Sequence, residues 1–269
     1  MKKNLLPPLL AALGLLGGLT APGFAATPYL VADIDPRFMS DGSGPGGFVR
    51  VGARVVFATG PDGSLWSTAG IPGDPVRLGP ANLFVNPPLL AAGPRAYFTG
   101  CAGSSGATCA LWTTDGTAAG TRRLTNPTFF DRLSEVLTPP GSNRSFLVLD
   151  RDRGNELWTS NGTPAGTGRV RIGAARPREL TAFSGRIFFF ADGGGASGAL
   201  FSSDGTMAGT RRIGAARDGG HMIPLGNRLA FSAGGMVWST DGTSAGTRSL
   251  VALPGSQLPR LAATANGRA

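Results

Sequence analysis

Leu111-Trp112-Thr113-Thr114-Asp115-Gly116-Thr117-Ala118-Ala119-Gly120-Thr121 decides the reading of this chain, because it comes back three times. It returns as Leu157-Trp158-Thr159-Ser160-Asn161-Gly162-Thr163-Pro164-Ala165-Gly166-Thr167 and as Leu200-Phe201-Ser202-Ser203-Asp204-Gly205-Thr206-Met207-Ala208-Gly209-Thr210. The last copy is Val237-Trp238-Ser239-Thr240-Asp241-Gly242-Thr243-Ser244-Ala245-Gly246-Thr247. A degenerate copy, Leu65-Trp66-Ser67-Thr68, precedes them all and continues into Ala69-Gly70-Ile71 where the others read Asp-Gly-Thr or Asn-Gly-Thr. The aromatic position therefore falls at 66, 112, 158, 201 and 238, in steps of 46, 46, 43 and 37 residues. Those periods are the ones in which four short strands make one blade of a β-propeller.

Outward from the motif, each copy has the same grammar. An apolar segment ends in a turn, as in Phe48-Val49-Arg50-Val51-Gly52 and Leu180-Thr181-Ala182-Phe183-Ser184-Gly185. A second segment is richer in aromatic and β-branched residues, as in Arg54-Val55-Val56-Phe57-Ala58 and Arg186-Ile187-Phe188-Phe189-Phe190-Ala191. A polar loop, the aromatic segment and a closing segment such as Thr210-Arg211-Arg212-Ile213 follow. Short apolar runs between turn signals read as strands, and nothing after residue 26 has a helical period. The 43 glycines and 21 prolines approach a disordered composition, but they stand in register with the apolar runs and so read as turn residues.

The motif has a physical rationale. Gly116, Gly162, Gly205 and Gly242 follow a short polar residue, and glycine accepts positive φ without steric cost in a tight antiparallel connection. The side chains of Asp115, Asn161, Asp204 and Asp241 can cap backbone N–H groups inside that turn, with Thr117 and its counterparts beside them. Trp66, Trp112, Trp158, Phe201 and Trp238 each offer a large face for packing between blades. The expectation is an all-β propeller of about five four-stranded blades, at roughly 47–78, 79–124, 125–171, 172–213 and 214–250, within a single domain spanning 26–269.

The segments around Trp112, Trp158, Phe201 and Trp238 closely resemble the ELWxxDGT repeat family of secreted bacterial proteins. The resemblance covers most of residues 29–269 and implies propeller-forming repeats, with no general biochemical activity attached. Only the third copy keeps the leading acid, at Glu156. Tyr29 to Pro36 is similar to the outermost strand that ends a repeat in this family, and 258–269 to the opening strand and turn of another. Two accounts fit these ends. Either the strand at 29–35 completes a blade by clasping across the termini, or a sixth blade is cut short. The second is favoured, because the last turn lacks the strand it should feed.

Residues 1–25 read as a cleavable signal peptide: Lys2 and Lys3, then a broken apolar stretch from Leu5 to Leu19, then Gly23-Phe24-Ala25 as the cleavage site. No later stretch is long and apolar enough for a membrane helix, so a monomer exported to the periplasm or the extracellular space is expected. Cys101 and Cys109 are the only cysteines, and in an oxidising compartment they read as one disulfide. The net charge of +9 falls to nearer +7 without the lysines, and all the remaining positive charge is arginine. No basic run exceeds two residues, and neither a recognition helix nor a stacking platform is visible, so no nucleic-acid partner is expected.

Chemistry is sparse. His221 is the one histidine, which rules out a histidine-cluster metal site, and it sits in a Gly-rich stretch expected to be solvated. No Gly-x-Ser-x-Gly elbow accompanies it. Asp150, Asp152 and Glu156 cluster, but Arg151 and Arg153 interleave and read as neutralising partners. No catalytic residue, metal or cofactor is assigned. The leading expectation is a secreted, non-enzymatic binding or scaffold module for an unknown protein or glycan. The alternatives are a carbohydrate-active hydrolase or lyase that draws carboxylates such as Asp152 and Asp192 from several blades, and a structural module of the cell envelope.

Overall fold

A computed structural model describes residues 44–252 apart from 61, 103–108, 127–131, 151–153, 174 and 194, all within the unit Val31–Ala269. The segments 1–25, 29–35 and 258–269 lie outside the described residues, as do Arg151, Asp152 and Arg153. Among the described residues twenty strands form five antiparallel sheets of four, each built from consecutive strands. The first holds β1 (Gly46–Val51), β2 (Arg54–Ala58), β3 (Leu65–Thr68) and β4 (Val76–Leu78). The second holds β5 (Leu83–Ala92), β6 (Arg95–Ala102), β7 (Cys109–Thr114) and β8 (Arg122–Arg123). The third holds β9 (Arg132–Leu137), β10 (Ser145–Asp150), β11 (Glu156–Ser160) and β12 (Gly168–Arg169). The fourth holds β13 (Ala175–Phe183), β14 (Arg186–Gly193), β15 (Ala196–Ser203) and β16 (Arg211–Arg212). The fifth holds β17 (Gly219–Leu225), β18 (Arg228–Ala233), β19 (Met236–Thr240) and β20 (Arg248–Ala252).

The first strands of successive sheets lie side by side, β1 against β5, β5 against β9, β9 against β13 and β13 against β17. Meanders that follow one another with their first strands innermost are the blades of a propeller. The second strand of the second, third and fourth blades is sandwiched between two neighbouring sheets. That is why its sequence is a continuous apolar run and not an alternating one. Ile187, Phe188, Phe189, Phe190 and Ala191 of β14 are all buried.

The core is divided between the blades. One apolar cluster joins Val51, Val56, Leu65 and Leu78 of the first blade to Leu83, Phe98 and Trp112 of the second. Another joins Tyr97, Leu111 and Leu124 to Leu133, Leu147 and Leu149 of the third. Phe146, Val148, Leu157 and Val170 pack on Ile187, Phe189 and Phe201 of the fourth. Phe188, Phe190, Leu200 and Ile213 pack on Leu229 and Phe231 of the fifth. Trp112, Trp158, Phe201 and Trp238 thus face the blade before their own. Three of them stack on the second strand of their own blade, Trp112 on Phe98 at 6.4 Å between ring centroids, Phe201 on Phe189 at 5.7 Å and Trp238 on Phe231 at 6.1 Å. Opposite one another on β6 and β7, Cys101 and Cys109 form a disulfide.

Candidate functional site

The motif turns are built alike. In the second blade Asp115 Oδ1 accepts from the Thr117 N–H at 2.9 Å and from the Thr117 hydroxyl at 2.7 Å. Thr117 Oγ1 accepts in turn from the Gly120 N–H at 3.0 Å, and the Gly116 N–H donates to Thr114 Oγ1 at 3.0 Å. Asn161, Asp204 and Asp241 repeat these bonds to within about 0.1 Å. Gly116, Gly162, Gly205 and Gly242 have φ of 87°, 84°, 92° and 94°, a region that costs a side chain and costs glycine nothing. Trp112 Nε1 donates to the Gly100 carbonyl and Trp238 Nε1 to that of Ala233, while Trp158 Nε1 donates to Glu156. These contacts assign the motif residues to turn and interface.

One partner of the motif was not singled out in the sequence: an arginine at 54, 95, 144, 186 and 228 that opens the second strand of its blade or, at Arg144, immediately precedes it. Arg186 Nη1 lies 3.6 Å from Asp204 Oδ2, and Arg186 Nη2 donates to the Gly209 carbonyl. Arg228 donates to Ser239 Oγ and to the Gly246 carbonyl, both at 2.5 Å. Three of the arginines also reach the next blade: a Cβ on Gly116, Gly162 or Gly205 would abut the side chains of Arg54, Arg95 and Arg144 respectively. The arginine's regular return at the start of the second strand was the available signal. Much of the arginine excess is therefore structural.

The turn carboxylates sit below the usual range. For Asp115 burial pushes the pKa up, but hydrogen bonds from Thr117 and the nearby Arg95 charge outweigh it. Asp204 is lowered chiefly by the Thr206 N–H and hydroxyl, and Asp241 by the Thr243 hydroxyl and N–H. A carboxylate whose folded pKa is depressed adds stability above its unfolded value, about 4, and loses it as pH falls through the folded value. Asn161 makes the same bonds without titrating. The triple variant Asp115→Asn/Asp204→Asn/Asp241→Asn should therefore have a flatter loss of stability below about pH 4 than the parent. Urea midpoints between pH 2 and 6 measure this, and superimposable curves would remove the turns from the acid limb.

A different arrangement lies between the third and fourth blades. A cleft of about 600 Å³ is walled by Asn155, Glu156, Arg169, Arg171, Ile172 and Asp192. A second recess of about 390 Å³ shares Asn155 and Asp192 and adds Arg176, Arg178 and Ser197. Glu156 Oε1 is 3.1 Å from Arg169 Nη1. Asp192 is shared, with Oδ2 at 3.8 Å from Arg176 and Oδ1 at 3.5 Å from Arg178. Its pKa is lowered first by the Gly198 N–H, against burial, and then by Arg178 and Arg176. Two register shifts in β13 and a positive φ of 53° at Arg176 shape this wall.

The remaining candidates fall elsewhere. His221 does not sit on a solvated turn. It is half-buried in β17, with φ of 55°, because the bulge between Gly220 and Met222 turns its backbone N–H toward Glu179. Among the described residues its Nδ1 is buried without a hydrogen-bond partner, as is Asp150 Oδ1. Glu156 pairs with Arg169 on the neighbouring strand β12, a partner the clustering of Arg151 and Arg153 did not point to. Asp192 lines the cleft, while Asp152 lies outside the described residues. Among the described residues no group of three or more His, Cys, Asp or Glu is placed to hold a metal ion, and no helix is long and apolar enough to cross a membrane.

No family model matches the chain, and no curated protein does. Solved structures share its fold. An oligogalacturonate lyase in complex with manganese aligns over 78% of this chain and 65% of its own, at 9% identity and TM-score 0.47. The oligogalacturonate lyase of Vibrio parahaemolyticus aligns over 76% of this chain and 64% of its own, at 8% and 0.48. The nidogen–laminin complex aligns over 75% of this chain and 76% of its own, at 14% and 0.40. The chain spans a little less than two thirds of the two lyases' length. Such scores carry no functional inference, and the propeller assignment rests on the five sheets and their serial packing.

Proposed function

We propose that this chain is a non-catalytic binding scaffold that engages a protein or glycan through the cleft between its third and fourth blades. The observation that carries the reading is the lining of that cleft, where both carboxylates are engaged by arginines. A general acid needs a raised pKa, as in a desolvated carboxyl group, and Asp192 is shifted the other way. The Cys101–Cys109 disulfide suits an oxidising compartment, and the apolar stretch at the N-terminus suits export to one.

The test is to follow retention and turnover together when the protein is mixed with polysaccharides of its compartment. Saturable retention without new reducing ends or unsaturated products is expected. Catalytic release of product, abolished by Asp192→Asn, would replace the scaffold with an enzyme.

A further inference from the structure

We propose that the cleft between the third and fourth blades is a binding site for an acidic polysaccharide, gripped by Arg169, Arg171, Arg176 and Arg178. This rests on the scaffold reading above and names its ligand class.

Among the described residues four guanidinium groups line the two recesses against two carboxylates, an excess of two positive charges. Among the described residues the pairing leaves most of their donors unused. Asp192 divides one carboxylate between Arg176 and Arg178, at separations of 3.8 and 3.5 Å that are long for charged hydrogen bonds. Arg171 makes no ion pair among the described residues. A guanidinium offers five donors in a planar fork that matches the oxygens of a carboxylate or a sulfate.

The other polar groups fit the rest of a sugar ring. The Asn155 amide and the Ser197 hydroxyl can each donate to, and accept from, ring hydroxyls beside the charged group. Leu157, Val170 and Ile172 supply an apolar wall. The larger recess has the volume of a small-ligand site, which spans roughly 300–1,000 Å³. Two recesses with common walls suit consecutive units of a chain. No aromatic ring lines either recess among the described residues, so the base stacking on which single-stranded nucleic acids rely is not provided.

The probes are an oligogalacturonate, its methyl ester, dextran sulfate and poly-L-glutamate, titrated calorimetrically into the full chain at low and high salt. The free acid should bind and the uncharged ester should not, with affinity falling as salt rises. Arg171→Gln should weaken binding about tenfold, while Arg248→Gln, which removes the same charge from the exposed strand β20, should leave it unchanged. Asp192→Asn should tighten binding about threefold or more, because it frees two guanidinium groups from a competing carboxylate while keeping an acceptor for the Gly198 N–H. Dextran sulfate binding as well as the uronate would assign the site to anionic sugars of either kind. Equal binding of acid and ester would overturn the acidic class and leave the scaffold standing. Poly-L-glutamate binding better than both sugars, or no binding by either charged sugar, would overturn the proposal. Consumption of the oligogalacturonate would keep the ligand and overturn the scaffold.

Discussion

Gly120→Asp is expected to lower stability by roughly 3 kcal/mol or more, and Asp115→Ala in the same chain is expected to restore most of the loss. The reason lies in how the motif turn closes. The Asp115 side chain folds back under Gly120, and any Cβ at position 120 would overlap its carboxylate. Added charge makes the collision worse, since two carboxylates would share a space built for one. The same overlap occurs at Gly166 with Asn161, Gly209 with Asp204 and Gly246 with Asp241. The first blade already contains the compensated form. Ala69 stands where Asp115 stands in the second blade, and Asp74 where Gly120 stands. Asp74 reaches back to the Thr68 hydroxyl and, at 2.6 Å, to the Ala69 N–H, while the Gly70 N–H still donates to Thr68 Oγ1 at 2.9 Å. The degenerate repeat therefore keeps the turn by moving the carboxylate across it. Denaturant unfolding of the two single variants and the double variant decides the matter. A Gly120→Asp protein within about 0.5 kcal/mol of the parent, or a double variant no better than the single, would mean that the turn relaxes freely.

Ile213→Ala should cost about 2–5 kcal/mol, whereas Leu250→Ala should cost about 0.5 kcal/mol or less. The two residues hold one repeat position, three residues after the closing threonines Thr210 and Thr247. Leu78, Leu124 and Val170 hold it in the other blades. Those three and Ile213 are between 0% and 4% exposed, and Leu250 is 56% exposed. In the first four blades the next sheet covers the position, so truncation leaves a cavity. In the fifth, water already reaches the side chain. Urea unfolding of both variants makes the comparison, because the two side chains hold the same repeat position. Equal, large losses would show that Leu250 is covered in solution.

The blades were legible because the features that make them are periodic and local. Trp66, Trp112, Trp158, Phe201 and Trp238 mark one strand per blade, and the Gly-containing turns mark where the next begins. The aromatic-rich run of β14 also read as a strand, and the structure buries it on both faces. The cleft was not legible. Arg169 and Arg171 belong to the end of one repeat, Arg176 and Arg178 to the start of the next, and Asp192 comes from a strand beyond a turn. Only the packing of β11 on β13 and the bulges of β13 bring them together, and bulges leave no periodic trace. His221 was misread for the same reason, since Gly219-Gly220 looks like a turn and forms a bulged strand.

The placement of the strand-opening arginines bears on how such a chain can change in length over generations. Arg54, Arg95 and Arg144 each lie under the turn glycine of the following blade, so the plug is encoded in one copy and its socket in the next. A gene segment of one full period, cut at any equivalent point, carries half of each joint and rebuilds both on insertion or loss. A segment of half a period leaves a turn without its arginine. Duplication and deletion in whole periods is therefore the change this architecture tolerates, wherever in the period the break happens to fall.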